Sequence, residues 1–496
     1  MKFRKLVGVI TFLAVAAMAA RVSIDSDTFW HLAAGRWIVE HGQILRSDPF
    51  SITRMGQSWV YPGWLAQIAL YGLHQRLGFL GFNLFTAVSV LIAFVLIWRI
   101  MREPVLVRGF VVILGAAASG IFWSARPQML TFLLSAVFLV LLIQWERGEA
   151  GWRIWLLPPL MALWSNFHGG FITGILLILA FLGGRLATLL TQLLLDWSSR
   201  LNQWHAHRRQ LGSGLLLLFL CTLALVVNPF GPRMLLYPFQ TISLETLSGY
   251  IQEWQSPDFH QPASWPFLLM FLLVPVSWAY SGKKPQPYSI FLFLGFGGLA
   301  LHAARNIALF ALVAAPTLSF HLDRAVRPIA EAIGPGRQVP TRLAERLNLV
   351  AALLLTLVLV LWGGPRMGEQ ATQQAIDERF PVEAVDTLLA LEKSGPLFHT
   401  YRWGGYILWQ GYPQLKSFVD GRTDLFGDEI LMEYLDVYRA NSGFQEVLER
   451  YAVRWVLIEP DAPLAAAASR LDWEKTLQTS AAVLYKVDQE TIRIDQ

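Results

Sequence analysis

With one cysteine, Cys221, in 496 residues, the chain can build no disulfide framework and no cysteine cluster for zinc. Charge is scarce too: Asp, Glu, Lys and Arg make up 15% of the residues, against roughly 25% in soluble domains. The sequence carries no glycine-rich phosphate loop, no nucleotide-sugar fingerprint and no basic stripe of the kind that follows nucleic acid. A nucleic-acid partner is therefore not expected, and any group transfer must draw on a donor activated elsewhere. What the chain has instead is apolar: 54% hydrophobic residues, 20 Trp and a mean hydropathy of +0.44. Its partner is the lipid bilayer.

A helix needs about 18 or more apolar residues to cross roughly 30 Å of hydrocarbon. About eleven such runs can be placed, near 5–22, 80–99, 106–124, 128–144, 152–165, 170–192, 211–228, 265–281, 287–301, 305–321 and 346–363. The first begins MKFRKL and ends in small residues before Arg21, which suits a cleaved secretory signal or an uncleaved anchor. The ten later runs make the anchor simpler. Lys2, Arg4 and Lys5 then put the amino terminus in the cytoplasm. Counting onward, the basic connections 99–108, 145–153, 198–210, 281–286 and 321–346 all fall on the cytoplasmic side, and the carboxy terminus falls outside.

The same count collects the unusual polar motifs on the outer face: DSDTFWHL, ARPQ at 125–128, NFHGG at 166–170, NPFGPR at 228–233, EWQSPDF at 253–259 and HAARN at 302–306. Ionisable groups at the hydrocarbon boundary are costly unless used. Each motif alone also fits a helix end with a snorkelling Arg or an interfacial Trp. The first outer loop, 23–79, is too long for a connector and contains two helical patterns, at 28–40 and 64–77, suited to lying in the interface. After Gly363-Gly364-Pro365 the composition changes. From there 13 Lys and Arg face 21 Asp and Glu, a net charge of −8. Residues 1–363 are thus expected to form the transmembrane domain and 364–496 a soluble extracytoplasmic α/β domain. Within the latter, helices are predicted at 370–393 and 428–439, and strands at 397–401, 406–409, 417–420, 454–458 and 482–487.

The run DSDTFWHLAAGRWIVEHG, followed by SDPFS and WLAQ, the later ARPQ, NFHGG and NPFG, and the tail YRWGGYILWQGYP with FVDGRTDLFGDE resemble polytopic bacterial membrane proteins of the GT-C glycosyltransferase superfamily. The resemblance covers nearly the whole chain. It implies a polytopic α-helical fold in the bacterial inner membrane and a mannosyltransferase-like or oligosaccharyltransferase-like activity. The sugar donor is then a polyprenyl phosphate, and the acceptor is a lipid, glycan or protein on the outer face. It also implies that Asp27, and with it Asp25, is catalytic base or metal ligand. In one place the chain departs from the pattern: Gly63 stands in YPGWLAQ where an acidic residue is expected, which puts metal dependence in question.

Transfer with inversion needs one carboxylate to take the acceptor's hydroxyl proton and a cation to neutralise the departing phosphate. Asp27 is the candidate base, because Phe29 and Trp30 lower the dielectric around it and raise its pKa. Asp25 would position the acceptor or hold a divalent cation, Mg²⁺ or Mn²⁺, with His31 one helical turn from Asp27 as a further ligand. N-capping of the following helix is the plainer role for this acid pair. Arg305, Arg126 and Arg233 are candidates for the donor phosphate. His168 and Asn166 are candidate acceptor contacts, as are Trp30, Arg402 and Trp403, whose indole offers a sugar-stacking face. A lipid or polysaccharide transporter and a noncatalytic scaffold of the same fold are the alternatives. A transporter should place charge at mid-membrane and show internal repeats or broken helices, and the sequence shows neither.

Overall fold

In a computed structural model of the chain, residues 1–195, 200–242, 251–333, 341–391 and 395–487 are described. Among them, seven helices are long and apolar enough to cross a membrane: Trp64–Ile100, Val105–Phe122, Gln128–Glu146, Gly169–Gln192, Pro262–Tyr280, Ala304–Ile329 and Arg342–Met367. The remaining expected spans are shorter. The first is α1, Phe3–Ala19, of 17 residues, and the run at 152–165 becomes a 3-10 segment followed by an 11-residue helix, Leu157–Phe167. Two more are apolar stretches below that length, Arg209–Ala224 within the helix Arg200–Ala224 and the helix Pro287–His302. At Gly120–Phe122, Gly169–Phe171 and Ala304–Asn306 the chain leaves the α-helical ladder for a 3-10 turn, beside the ARPQ, NFHGG and HAARN motifs.

Two helices of the 23–79 segment lie where its apolar pattern places them. The first, α2, is Ser26–His41. The second, α3, is Trp64–Ile100, in which Gly78 takes φ 56° and breaks an initial segment from the long apolar run behind it.

The tail contains a four-stranded sheet in the order β1-β2-β4-β3, from β1 (Leu397–His399), β2 (Trp455–Ile458), β3 (Glu474–Gln478) and β4 (Val483–Lys486). β1 and β2 are parallel, with Phe398 opposite Val456, and the other pairs are antiparallel. Two predicted strands are absent. Residues 406–409 lie in a helix, Gly404–Gly411, and 417–420 form a turn with one bridge to Ser51. The expected helix at 370–393 is two helices, Glu369–Arg379 and Val382–Leu389, broken at Phe380-Pro381, and its last two residues lie outside the described ones.

The tail's core is continuous with side chains of the first loop. One cluster joins Trp30, Ala33, Ala34, Ile38, Leu45 and Phe50 to Phe398, Leu408, Phe418 and Phe426. A second joins Phe29, Leu32 and Leu70 to Phe380, Trp403, Tyr406 and Ile407. Burying apolar side chains contributes about 1.5–3 kcal/mol each, so α2 is held between α3 on one side and the tail on the other. That packing fixes the position of the Asp27 side chain.

Candidate active site

Asp25 and Asp27 have different jobs. Asp25 is the N-cap of α2: its Oδ1 accepts from the backbone N–H of Asp27 and of Thr28, each at 3.1 Å, and Thr28 Oγ1 in turn meets the Asp25 N–H at 3.2 Å. This reciprocal box satisfies two of the helix's free amides. The cap is therefore two residues earlier than Thr28's neighbour, and Asp27 needs no backbone partner. Its side chain turns into a cleft instead.

Backbone pairing brings four distant segments to this cleft. Ala125 N–H donates to Ser23 O at 2.8 Å, and Ala304 N–H to Gln255 O at 2.8 Å. Arg126 then ties its own segment to those of Asp25 and Glu253. Its Nε meets Asp25 Oδ2 at 2.9 Å, Nη1 meets Asp27 Oδ2 at 2.5 Å, and Nη2 meets Glu253 Oε2 at 3.0 Å. Glu253 Oε1 stands 3.8 Å from Arg305 Nη1, and the Arg305 guanidinium lies 4.2 Å from the centroid of the Trp254 ring. The cluster remains open to solvent, with 22% of the Asp27 side chain and 28% of that of Arg305 accessible.

The electrostatics divide these acids. Burial raises the Asp27 carboxyl to about 7 against the pull of Arg126, with Asp25 and Glu253 adding to the rise. Glu253 is also enclosed, but Arg126 and Arg305 hold it at about 2. Burial works against the Arg126 charge, yet Asp25, Glu253 and Asp27 keep it firmly protonated.

The second oxygen of Asp27 faces the tail. A Cβ on Gly421 would collide with Asp27 Oδ1 and lie 2.7 Å from Trp30 Nε1, so glycine at 421 lets the Asp27 carboxylate and the Trp30 indole pack closely against the tail backbone. Trp30 is 5% exposed and its Nε1 is buried without a hydrogen-bond partner. An orphaned indole N–H beside a carboxylate oxygen is an incomplete pair. Around it stand Tyr61, with its ring 5.2 Å from that of Trp30, and Asp424, whose Oδ2 receives Trp59 Nε1 at 3.3 Å and Tyr237 OH at 3.5 Å. Burial raises Asp424 to about 6.

The other expected site residues sort by their partners. His168 accepts from Gly170 N–H at 3.1 Å on Nδ1, which also faces Thr131 Oγ1 at 2.9 Å, so its proton is on Nε2. Burial and then Arg305 and Arg126 hold it neutral, at about 3. Asn166 is a clamp: Oδ1 accepts from Trp64 Nε1 at 2.8 Å, and Nδ2 donates to Ala162 O and Val227 O. It has no amide proton left for an acceptor. Trp403 is fully buried, with Nε1 donating to Arg379 O at 3.0 Å, and so offers no stacking face. Arg402 pairs with Glu459 at 3.0 Å, and Arg233 is exposed at the start of the helix Arg233–Ile242 with no ion pair among the described residues.

The residues do not fit a divalent cation. Among the described residues no three His, Cys, Asp or Glu side chains gather as metal ligands. Asp25 and Asp27 are turned to Arg126, and His31 Nδ1 lies 3.5 Å from Gln67 Nε2. At Gly63 a Cβ would lie 2.5 Å from the Tyr61 ring, so the departure from the expected acid is enforced by packing.

Spacing offers no reason to prefer Glu253 and no role for Gly421, whereas Asp424, with Asp420 and Arg422 in DGRTD, stands out in the sequence as a possible acceptor contact. Only the fold shows that the glycine between the two acids faces Asp27.

Comparison with solved structures places the fold. The archaeal oligosaccharyltransferase AglB of Archaeoglobus fulgidus, in complex with an inhibitory peptide and a dolichol-phosphate, matches with a TM-score of 0.56 at 11% identity, over 100% of this chain and 76% of its own. The Archaeoglobus fulgidus oligosaccharyltransferase tethered to an acceptor peptide with the NVT sequon gives 0.54 at 11% identity, over 100% and 75%. ArnT of Cupriavidus metallidurans in the apo state gives 0.47 at 13% identity, over 98% of each chain. No family model matches the chain, and no curated protein matches it by sequence. The chain shares its fold with the Archaeoglobus fulgidus oligosaccharyltransferase.

Proposed function

We propose that this chain is an inverting membrane glycosyltransferase that moves a sugar from a polyprenyl-phosphate-linked donor to a hydroxyl acceptor, with Asp27 as general base. The observation that carries this reading is the Asp27 carboxyl, raised to about 7 and partly open to solvent, with its Oδ1 and the unpartnered Trp30 Nε1 both beside Gly421. In this reading the bound acceptor hydroxyl accepts from the indole N–H and donates to the Asp27 carboxylate. As its oxygen bonds to the anomeric carbon, its proton passes to Asp27. The bond from that carbon to the phosphate oxygen breaks, and the phosphate leaves with the electron pair. A base with a pKa near the working pH is the efficient choice for this transfer.

Arg305 is the guanidinium for the departing phosphate. Its contact with Glu253 is loose, at 3.8 Å, so most of its five N–H donors are uncommitted. Arg126, assigned the same role from sequence, already spends its three nitrogens on three carboxylates. Neutral His168, with its Nε2 proton, is the remaining donor beside them. A lipid phosphate as donor is consistent with the dolichol-phosphate in the Archaeoglobus fulgidus complex, whose fold this chain shares.

The test is transfer of radiolabelled sugar from polyprenyl-phosphate donors by the purified full chain, with Asp27→Asn alongside. Transfer by the wild type and its loss in the variant are expected. Equal transfer by both proteins rejects the base assignment.

A further inference from the structure

The cation that gathers the acidic loops at this site belongs to the protein itself. We propose that the Arg126 guanidinium stands where a divalent metal would otherwise bind, so that the site is complete without one. The inference concerns the cation and not the reaction, and it goes beyond the transferase reading.

Three observations carry it. Asp25, Asp27 and Glu253, from the start of α2 and from a loop more than 200 residues later, each contact a different nitrogen of one side chain, at 2.5–3.0 Å. A divalent ion would need its oxygens to converge on a point about 2.0–2.6 Å away. Oxygens bound to Nε, Nη1 and Nη2 of a planar fork instead fan outward around it, which is a geometry made for guanidinium and not for a metal.

Charge gives the second observation. Arg126 and Arg305 both stand against Glu253, and an added divalent ion would be placed beside two fixed positive charges. The third is the nitrogen ligands. His31 faces Gln67 through Nδ1, and His168 Nδ1 is taken by Gly170 and Thr131. Neither histidine shares a cluster with the acids that would hold a metal.

The test uses Mn²⁺ alone as probe on the full chain in lipid nanodiscs. Thermal melting is followed in excess EDTA and in MnCl₂, and bound Mn²⁺ is counted by electron paramagnetic resonance, for wild type, Asp27→Asn and Arg126→Met. A ligand that binds only the folded state raises its melting temperature. The wild type is expected to melt at the same temperature in both solutions and to bind no equivalent of Mn²⁺ that Asp27→Asn removes. Arg126→Met, with three carboxylates left facing one another, should melt lower in EDTA and recover part of the shift with Mn²⁺. One wild-type equivalent of Mn²⁺ that raises the melting temperature and disappears in Asp27→Asn overturns the proposal. So does an Arg126→Met protein that melts like wild type in EDTA. Where Arg126→Met does not fold, the comparison of wild type with Asp27→Asn decides alone. Sugar transfer is not the readout, so failure here is distinct from failure of the transferase reading.

Discussion

At the scale of single residues, the acid pair in DSD separates into a cap and a candidate base. Asparagine caps a helix about as well as aspartate, so Asp25→Asn should keep α2 intact and cost sugar transfer little. Asp27→Asn removes the proton acceptor and should lower kcat by about 10²–10⁴-fold with little loss of melting temperature. Comparing the two variants in one transfer assay checks the division of roles. Trp30→Phe keeps the ring packing and deletes only the unpartnered N–H, so transfer should fall by about tenfold, the value of one lost hydrogen bond, through kcat or acceptor KM. Gly421→Ala drives a methyl group against Asp27 Oδ1 and the Trp30 indole and should cost more than Trp30→Phe. These roles were partly legible in the sequence. Phe29 and Trp30 beside Asp27 already signalled a raised pKa, whereas the close approach of Gly421 to Asp27 joins residues almost 400 positions apart.

Among the elements, the contact between the tail and the 23–79 segment is the one on which the site depends. It is held by a fully buried ion cluster in which Arg422 meets Asp48 Oδ1 at 2.5 Å and Asp420 Oδ2 at 2.7 Å. Removing one member of a buried cluster leaves an uncompensated charge, so Arg422→Met should destabilise the protein by about 3–5 kcal/mol, seen as a lower melting temperature. Because α2 loses its packing partner, transfer should fall as well. Asp420 and Arg422 are close enough in the chain for their charge pairing to be expected from sequence, whereas Asp48 is distant and joins them only in the fold. The run YILW illustrates a second limit. A short apolar run fits a strand or a buried helix equally, and here contact with α2 and the core around Phe29 decides for helix.

For the whole molecule, the amphipathic pair in the first loop, the apolar runs and the GT-C resemblance were all readable, because hydrocarbon thickness imposes a length that sequence shows directly. Span length was less readable for the shortest runs, 152–165 and 287–301, which end in the 11-residue helix Leu157–Phe167 and the 16-residue helix Pro287–His302. The single, buried Cys221 makes the topology easy to test. Cysteines introduced at Glu149 and at Asp258 should react with a membrane-impermeant maleimide from opposite sides of sealed vesicles, and labelling of both from one side contradicts the proposed arrangement. The central claim, that Asp27 accepts the acceptor's proton, is tested most directly by the pH dependence of sugar transfer by the purified wild type. The carboxylate is the active form and burial raises its pKa in the free protein to about 7, so kcat/KM should climb tenfold per pH unit below that value and level off above it. A profile that stays flat through pH 7, or that falls as pH rises through it, contradicts the assignment.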